Sequence, residues 1–325
     1  MTRGPWHVAV LMGGWSAERE VSLMSGKGVA DALESRGHRV TRIDMGRDVA
    51  QRLAEARPDV VFNALHGVPG EDGTVQGMLD LVDLPAAGCG VLASALCMDK
   101  HALKTVLAAS GISVAPWRTV TRSQVERDPS LVSRLGGELA EEGGLSYPLF
   151  VKPNRAGSSV GVSRVASPGE LPTALDVAFA EDSLVLVESG IAGREVEIAV
   201  LQGRDGSAPR TSSVIGEIVF TGRDFYDFEA KYLGAAGVTL ELPARVTEAE
   251  FAALRDAAVT AFEVAQCAGL ARIDFFLTDD GPVLNEINTL PGFTPISMYP
   301  RLWEESGLGY TALITELIEL ALEGD

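Results

Sequence analysis

The sequence has no run of apolar residues close to the roughly 18 that a membrane-spanning helix requires. Its first residues, from Met1 to Pro5, also lack a basic segment followed by an apolar stretch, so we expect no export signal. These absences favour a cytoplasmic protein with no membrane partner. With 325 residues, 46% of them hydrophobic, the chain is long enough for two or three domains.

Cysteine is scarce. The three cysteines, Cys89, Cys97 and Cys267, lack the spacing of metal ligands and lie among apolar neighbours. This pattern is typical of buried, reduced thiols in the cytosol, and it predicts no disulfide.

Positive charge is scarce as well. The chain has 27 basic and 45 acidic residues, a net charge of −18, and would repel a phosphate polymer, so nucleic acid is not an expected partner. Few of the basic residues are lysines, whose compact charge suits phosphate groups. Lys27 and Lys104 have contexts typical of exposed helix residues. The other lysines, Lys100, Lys152 and Lys231, are therefore candidate phosphate ligands.

The first hundred residues alternate between predicted strands and helices. After an apolar strand and a glycine turn, we expect a helix capped by Ser16 and ending near Gly37. Further strands are predicted at residues 40–44 and 59–65, with a helix at residues 48–56. This alternation predicts a parallel, Rossmann-like sheet.

Beyond about residue 98 the pattern changes. A helix and a strand–turn–strand unit are followed by strands that we expect to be antiparallel, and the chain ends in an amphipathic helix. We therefore predict an α/β fold with an α+β C-terminal part. The expected domains are an N-terminal Rossmann-like domain (1–98), a central domain (99–187) and a C-terminal domain (188–325).

A predicted hairpin near the end of the chain carries charged residues among apolar ones. If its turn centres on Asp280, Asp274 lies opposite Glu286. Arg272 then lies opposite Asn288, and the two-residue period puts all four side chains on one face. Because opposed like charges destabilise a sheet, we expect a positive group between the acids. Carboxylate and amide oxygens suit Mg²⁺. The alternatives are that Arg272 alone neutralises the acids, or that the register slips.

Two further segments are typical of ligand sites. In KPNRAGSSVG, Lys152 ends a buried strand directly before a turn with Ser158 and Ser159, whose N–H and hydroxyl groups suit phosphate. In HGVPGEDGTVQG, His66 and Glu71 follow a strand end, where open α/β sheets bind ligands. Either segment alone is also compatible with a structural turn.

Six segments carry a family resemblance when they are taken in order. They are GGWSAEREVS, HGVPGEDGTVQG, MDK, KPNRAGSSVG, FYDFEAKY and GLARIDFFLTDDGPVLNEINTLPGFTPISMYP. Together they resemble the D-alanine:D-alanine ligase family of the ATP-grasp superfamily over nearly the whole chain. The chain departs from the family at two positions. Trp15 stands where relatives usually have Thr, and Phe228 where many have Tyr. Neither residue supplies a reacting group, so we expect these departures to affect only local packing.

The resemblance implies that residues 1–98 form a substrate-binding domain, and that residues 99–187 and 188–325 are the central and the catalytic C-terminal ATP-grasp subdomains. It also implies that ATP binds between these two subdomains with two Mg²⁺ ions, for which Mn²⁺ is a possible substitute. A loop around FYDFEAKY would close over the nucleotide. The implied ligands are Lys100, Lys152, Lys231, Ser158 and Ser159 for the phosphates, Glu188 for adenine, Glu195 for the ribose, and Asp274, Glu286 and Asn288 for the metal.

The implied reaction transfers the γ-phosphoryl group to the carboxylate of one D-alanine, and the amine of a second D-alanine attacks the acyl phosphate. Glu18 would anchor the first ammonium, and Arg272 with the N–H of Gly292 would stabilise the oxyanion. Ser158 and Tyr232 would link the closing loop to Glu18. Further substrate contacts are assigned to His66, Glu71, Ser297 and the backbone of Met298. The dipeptide would serve peptidoglycan synthesis, and relatives are commonly homodimers.

Three other functions are compatible with parts of the sequence. A D-alanine:D-lactate ligase is disfavoured because such relatives lack the tyrosine that stands at Tyr232. A non-catalytic nucleotide-binding regulator on the same fold would need no acyl-site residues, which this chain has. An NAD-dependent dehydrogenase is suggested by the first β-α units, but the Gly13-Gly14 turn has no third glycine.

Overall fold

The structure is a computed structural model that describes residues 4–137, 144–220 and 238–323. Within these ranges the strands are β1 (His7–Met12), β2 (Arg39–Asp44), β3 (Val60–Asn63), β4 (Ala86–Ala87), β5 (Trp117–Thr121), β6 (Leu149–Pro153), β7 (Ser163–Val165), β8 (Leu184–Ser189), β9 (Arg194–Leu201), β10 (Arg210–Thr211), β11 (Gly216–Phe220), β12 (Val238–Glu241), β13 (Leu270–Thr278) and β14 (Gly281–Asn288). The α-helices of the same ranges are α1 (Arg19–Ser35), α2 (Val49–Ala56), α3 (Thr74–Leu81), α4 (Val91–Met98), α5 (Lys100–Ala109), α6 (Arg122–Arg127), α7 (Ser130–Leu135), α8 (Leu171–Glu181), α9 (Glu248–Val264), α10 (Met298–Glu305) and α11 (Tyr310–Glu323).

Strands β1 to β4 form a parallel sheet in the order β2-β1-β3-β4. Every residue of β1 and β3 is buried, as is typical of parallel strands that are covered on both faces. The helices α1, α2 and α3 connect these strands. The parallel sheet that the sequence predicts is confirmed.

Helix α1 begins later than the sequence predicts. Its N-cap is Glu18, and no side chain caps it. The Ser16 hydroxyl instead donates to the backbone oxygen of His66 over 2.6 Å. The predicted Ser16 cap is therefore wrong, because a neighbouring loop takes up that hydroxyl. The later start leaves the Glu18 side chain buried at the edge of the sheet.

Strands β5 to β8 form an antiparallel sheet in the order β5-β8-β6-β7. Helix α8 covers one face, and its Leu171 and Leu175 pack with Val151 and Val187 of the sheet. Helix α5 begins beside this sheet because the Asp99 carboxylate accepts a hydrogen bond from the backbone N–H of Ala102. Asp99 therefore separates α4 from α5 and places Lys100 in the first turn of α5.

The third sheet is antiparallel, in the order β12-β11-β9-β13-β14, with β10 beside β9. Helix α9 packs on one face through Leu254, Ala258 and Phe262. Since side chains alternate along a strand, the opposite face carries Glu197 and Asp274.

The C-terminal helices return to the first sheet. Leu313, Ile314, Leu317 and Ile318 of α11 lie in the same hydrophobic cluster as β1 and β3. This confirms the predicted core role of the final amphipathic helix. Among the described residues, no helix has the length and apolar character needed to span a bilayer.

Candidate active site

A cavity of about 540 Å³ lies where the three sheets meet. Its walls come from loops of the first sheet, from α5, from β6 and β8 of the second sheet, and from β9, β11, β13 and β14 of the third. The predicted site residues that line it are Glu18, His66, Glu71, Lys100, Lys152, Ser158, Ser159, Glu188, Glu195, Arg272, Asp274, Glu286, Asn288 and Gly292.

Four predicted residues are not among the described residues that line the cavity. Lys231 and Tyr232 lie outside the described residues. The Ser297 hydroxyl lies 2.7 Å from that of Thr294, in the turn before α10. The Met298 side chain is buried in the hydrophobic cluster that includes β1 and β3, and the prediction for Met298 concerns its backbone. The roles of these residues stay predictions.

Strands β13 and β14 pair in the register that the sequence predicts. Arg272 lies opposite Asn288, and Asp274 lies opposite Glu286. The two-residue turn by itself would oppose Asp274 with Asn285, but a β-bulge directly after Asp274 skips Asn285 in the pairing. The bulge thus brings the Glu286 carboxylate level with Asp274.

A third carboxylate extends this pair into a row. Glu197 on β9 lies opposite Asp274, so Glu197, Asp274 and Glu286 occupy adjacent positions on three neighbouring strands. We call these three residues the acidic row. Glu197 was not among the predicted site residues, although it shares a strand face with Glu195 by the two-residue period.

The Arg272 guanidinium lies along the acidic row. Its Nε and Nη2 each donate to one oxygen of the Asp274 carboxylate over 2.7 Å, and its Nε lies 3.4 Å from Glu197 Oε2. Burial would lower the pKa of Arg272, but Asp274 and Glu197 raise it well above its ordinary value. The alternative was that Arg272 alone neutralises both hairpin acids, and of these two acids Asp274 accepts hydrogen bonds from the guanidinium.

The acidic row suits a hard divalent cation. Its three carboxylates lie near the Arg272 guanidinium, and the side-chain amide of Asn288 lies beside them, with Nδ2 donating to Asp274 over 3.0 Å. A rotation of that amide would present an oxygen to the same space. The His, Cys, Asp and Glu residues of the described chain form no cluster of three ready to hold a metal. A cation here would thus complete its shell with Asn288 or with ligand oxygens, as Mg²⁺ does with phosphates.

The opposite wall carries two lysines that contact one buried glutamate. The Glu188 carboxylate on β8 is buried, with Lys104 Nζ at 3.0 Å from Oε2 and Lys152 Nζ in ion-pair contact with Oε1. We call these three residues the lysine cluster. Burial alone would raise the pKa of Glu188, but Lys152 and Lys104 outweigh it and hold the pKa at about 2.

Lys104 corrects a sequence prediction. We expected an exposed helix residue, yet its side chain is 5% exposed and faces Glu188. Lys27, in contrast, is exposed as predicted, at 74%, and pairs with Asp31 on its own helix. The partner of Lys104 lies on a strand far along the chain, so no local pattern distinguished these two lysines.

The Gly/Ser turn after β6 joins two walls of the cavity. Ser158 Oγ donates to Glu18 Oε1 over 2.6 Å, and Lys100 Nζ donates to the backbone oxygen of Ala156 over 2.6 Å. Ser158 and Ser159 have φ of 52° and 58°, a left-handed conformation that is uncommon for residues with a side chain. This strained turn faces the cavity with the backbone and hydroxyl groups that a phosphate site uses.

The loop after β3 brings a histidine to the same place. His66 is buried, its Nε2 lies 3.3 Å from Ser25 Oγ, and its Nδ1 lies 3.6 Å from Glu71 Oε1. Gly67 has φ of +68°, and a Cβ there would lie 3.3 Å from Glu18 Oε2. A glycine therefore lets this loop approach Glu18 closely.

Comparisons with known proteins agree with these features. Residues 106–319 match a family model described as D-ala D-ala ligase C-terminus, and residues 46–89 match the D-ala D-ala ligase N-terminus model. The chain is 42% identical to the D-alanine–D-alanine ligase of Pseudarthrobacter chlorophenolicus, over 97% of this chain and 94% of the relative.

Solved structures of the same kind share the fold. The D-alanine–D-alanine ligase of Bacillus anthracis, complexed with ATP, has a TM-score of 0.81 and 29% identity, with 98% of each chain covered. The VanG D-Ala:D-Ser ligase of Enterococcus faecalis also has a TM-score of 0.81, at 32% identity, and covers 98% of this chain and 100% of its own.

Proposed function

The chain belongs to the D-alanine–D-alanine ligase family, and from that premise we propose that it joins two D-alanine molecules at the expense of ATP. The observation that carries the proposal is one cavity with a lysine cluster on one wall and an acidic row on the other. Such a cavity suits a polyanion that is bridged to carboxylates by a divalent cation. The product would serve as a peptidoglycan precursor.

The nucleotide would lie between the second and third sheets. Lys100, Lys152 and the Ser158–Ser159 turn face the space that suits its phosphates, and Lys231 would join them. Glu188 would accept a hydrogen bond from the adenine amino group, and Glu195 would hold the ribose hydroxyls. The support for this placement is that all the described residues of the set line one cavity.

Asp274, Glu286 and Asn288 would hold Mg²⁺, with Mn²⁺ as a substitute. The bound ion would neutralise charge that develops on the transferred phosphoryl group. When the ion takes Asp274 as a ligand, Arg272 still has Glu197 at 3.4 Å. The guanidinium would thus remain charged and oriented toward the cavity.

Glu18 would bind the ammonium of the first D-alanine, whose carboxylate accepts the γ-phosphoryl group. The amine of the second D-alanine then attacks the carbonyl carbon of this acyl phosphate, the C–O bond to phosphate breaks, and phosphate leaves. Arg272 and the N–H of Gly292 would stabilise the oxyanion between these steps. His66, Glu71, Ser297 and the Met298 backbone would position the substrates. Ser158 and Tyr232 would close the site against water through Glu18.

The direct test is to incubate the protein with ATP, Mg²⁺ and D-alanine, and to measure dipeptide, ADP and phosphate. We expect the three products in equal amounts with D-alanine and no ADP release with L-alanine, because Glu18 and Arg272 would hold the ammonium and carboxylate of one enantiomer. Comparable turnover with L-alanine would contradict the assignment.

The second substrate needs its own test, since a D-Ala:D-Ser ligase shares the fold. With equal D-alanine, D-serine and D-lactate, we expect D-alanyl-D-alanine to dominate at neutral and mildly acidic pH. The phenol that Tyr232 contributes carries no ammonium-like charge that would repel a second ammonium, in contrast to the His of the D-lactate ligases. Mass spectrometry that showed mostly ester or mostly the serine dipeptide would exclude the D-alanine preference.

We also propose the boundaries 1–98, 99–187 and 188–325 for the three domains, and a cytoplasmic location. Each proposed domain contains most of one sheet, although the boundary after residue 187 falls within β8 and α11 packs back on the first sheet. The free thiols of Cys89, Cys97 and Cys267 suit a reducing compartment.

A homodimer is proposed through the adjoining helices α3 and α4. Leu81 is 87% exposed and Leu92 is 57% exposed, and both would be covered by a second copy. We expect Leu92→Glu to elute as a monomer in light scattering after gel filtration. Met24→Glu, at an equally exposed position on α1, should remain a dimer. A wild-type monomer would contradict the proposal.

A further inference from the structure

A buried lysine outside the predicted site lies against the carboxylate that is proposed to meet adenine. Lys104 Nζ lies 3.0 Å from Glu188 Oε2, donates to the backbone oxygen of Ala115 over 3.4 Å and lies 5.8 Å from the centre of the Trp117 ring. These contacts hold the ammonium between α5 and β5, beside β8. Lys104 therefore has a fixed position at the base of the cavity.

The two lysines that contact Glu188 differ in their other contacts. Lys152 contacts Oε1 and is also proposed to bind the phosphates. The contacts of Lys104, in contrast, are with Glu188, a backbone carbonyl and an aromatic ring. When a nucleotide draws the Lys152 ammonium toward its phosphates, Lys104 still compensates the charge of Glu188.

We infer that Lys104 is a specificity-determining residue that holds Glu188 as an ionised hydrogen-bond acceptor and so selects adenine over bases that present a carbonyl oxygen at the same position. The inference rests on the proposed adenine contact of Glu188. Lys104 acts through that carboxylate and is a positioning residue.

The selection follows from the hydrogen-bonding capacity of the two states of Glu188. An ionised carboxylate only accepts hydrogen bonds, so it pairs with the 6-amino group of adenine and repels the 6-oxo group of hypoxanthine or guanine. A protonated carboxyl group has one O–H donor and tolerates the oxo group. Burial favours the protonated form. The ammonium of Lys104 opposes that effect, in agreement with the low pKa of Glu188.

The experiment measures binding of ADP and of inosine diphosphate to the full-length protein by titration calorimetry. We expect wild type to prefer ADP by about tenfold or more, the order of one charge-assisted hydrogen bond. In Lys104→Met, the preference should fall by about tenfold. In Lys27→Met, a matched change at an exposed lysine, it should be unchanged. Lys104→Arg keeps the charge and should retain most of the preference.

The same Lys104 change in a Glu188→Gln variant shows whether Lys104 acts through Glu188. In Glu188→Gln the amide can donate or accept, so the preference should already be lost, and adding Lys104→Met should change it no further. Thermal melts check that each variant folds. Lys104→Gln replaces Lys104→Met where the latter melts below the assay temperature.

An unchanged ADP preference in folded Lys104→Met would overturn the inference, and so would an equal loss in the wild-type and Glu188→Gln backgrounds. Failure of the ligase proposal is visible separately, because dipeptide formation by wild type is measured without reference to inosine nucleotides. A wild type that binds ADP selectively but makes no dipeptide would contradict only the ligase proposal.

Discussion

The acidic row and the lysine cluster face each other across one cavity but balance their charges differently. In the acidic row, three carboxylates on adjacent strands are accompanied by one guanidinium, that of Arg272. In the lysine cluster, two ammonium groups surround the single carboxylate of Glu188. Among the described side chains, the acidic row therefore has more acidic than basic groups, and the lysine cluster has more basic than acidic groups.

The difference shows how a fold keeps two oppositely charged walls apart. The acidic row depends on strand register, so its carboxylates are brought together by the β9, β13 and β14 backbones. The lysine cluster depends on tertiary packing, since Lys104 comes from α5, Lys152 from β6 and Glu188 from β8. In the proposed function, a magnesium nucleotide would contact both walls, with its cation on the row and its phosphates near Lys152.

Removal of one charge from the acidic row should have the largest effect. Glu286→Gln keeps the size of the side chain but removes a carboxylate that is proposed to hold the cation. We therefore expect ligation to fall by about 10³-fold or more, as for the loss of several kcal/mol of metal stabilisation. Melting should be almost unchanged. Asp280→Asn, in the turn of the same hairpin, should keep full activity. Near-normal turnover of Glu286→Gln in limiting Mg²⁺ would exclude the metal role.

A change of shape in the lysine cluster should have a smaller effect. Lys152→Arg keeps the charge but adds a planar fork in a buried position beside Glu188. We expect the KM for ATP to rise by about 10- to 100-fold, the range for one distorted charged hydrogen bond. Lys27→Arg serves as the exposed control. An unchanged KM in Lys152→Arg would show that Lys152 does not bind the phosphates.

Removal of the hydrogen bond between the Gly/Ser turn and α1 should reduce ligation less than the two preceding changes. Ser158→Ala removes the 2.6 Å contact to Glu18, so we expect about a tenfold rise in the KM for the first D-alanine. More phosphate should form per dipeptide, because water reaches the acyl phosphate. Ser163→Ala, on the following strand β7, is the control. A ratio of phosphate to dipeptide that matches wild type would indicate that this contact does not close the site.

The two walls also differ in how far the sequence predicts them. The acidic hairpin was predictable because the two-residue period and a recognisable turn fix which side chains share a face. The β-bulge at Asn285 was not visible, although the predicted turn centre at Asp280 gave the register that the bulge creates. Glu197 was missed because it comes from a strand about 75 residues earlier, whose pairing with β13 no local pattern reveals.

The lysine cluster was only partly predictable. Lys152 was identified from its motif, but Lys104 has the helical context of an exposed residue, and only tertiary packing buries it against Glu188. The Ser16 cap failed for a similar reason, since a contact to His66 from another loop overrides the local capping signal. Contacts between polar groups that are far apart along the chain could not be predicted from the patterns of a single sequence.

The smallest expected effect is an acid dependence that belongs to the lysine cluster. The pKa of Glu188 is lowered from 4.5 to about 2 in the folded state. A group with a lowered folded pKa stabilises the fold above its unfolded pKa, and this stability is lost as pH falls toward the folded value. Between pH 7 and pH 4, wild type should therefore lose about 1 kcal/mol more unfolding free energy than Glu188→Gln, measured by urea denaturation. Lys27→Met should follow wild type. Equal losses in wild type and Glu188→Gln would mean that the two lysines do not hold this carboxylate ionised.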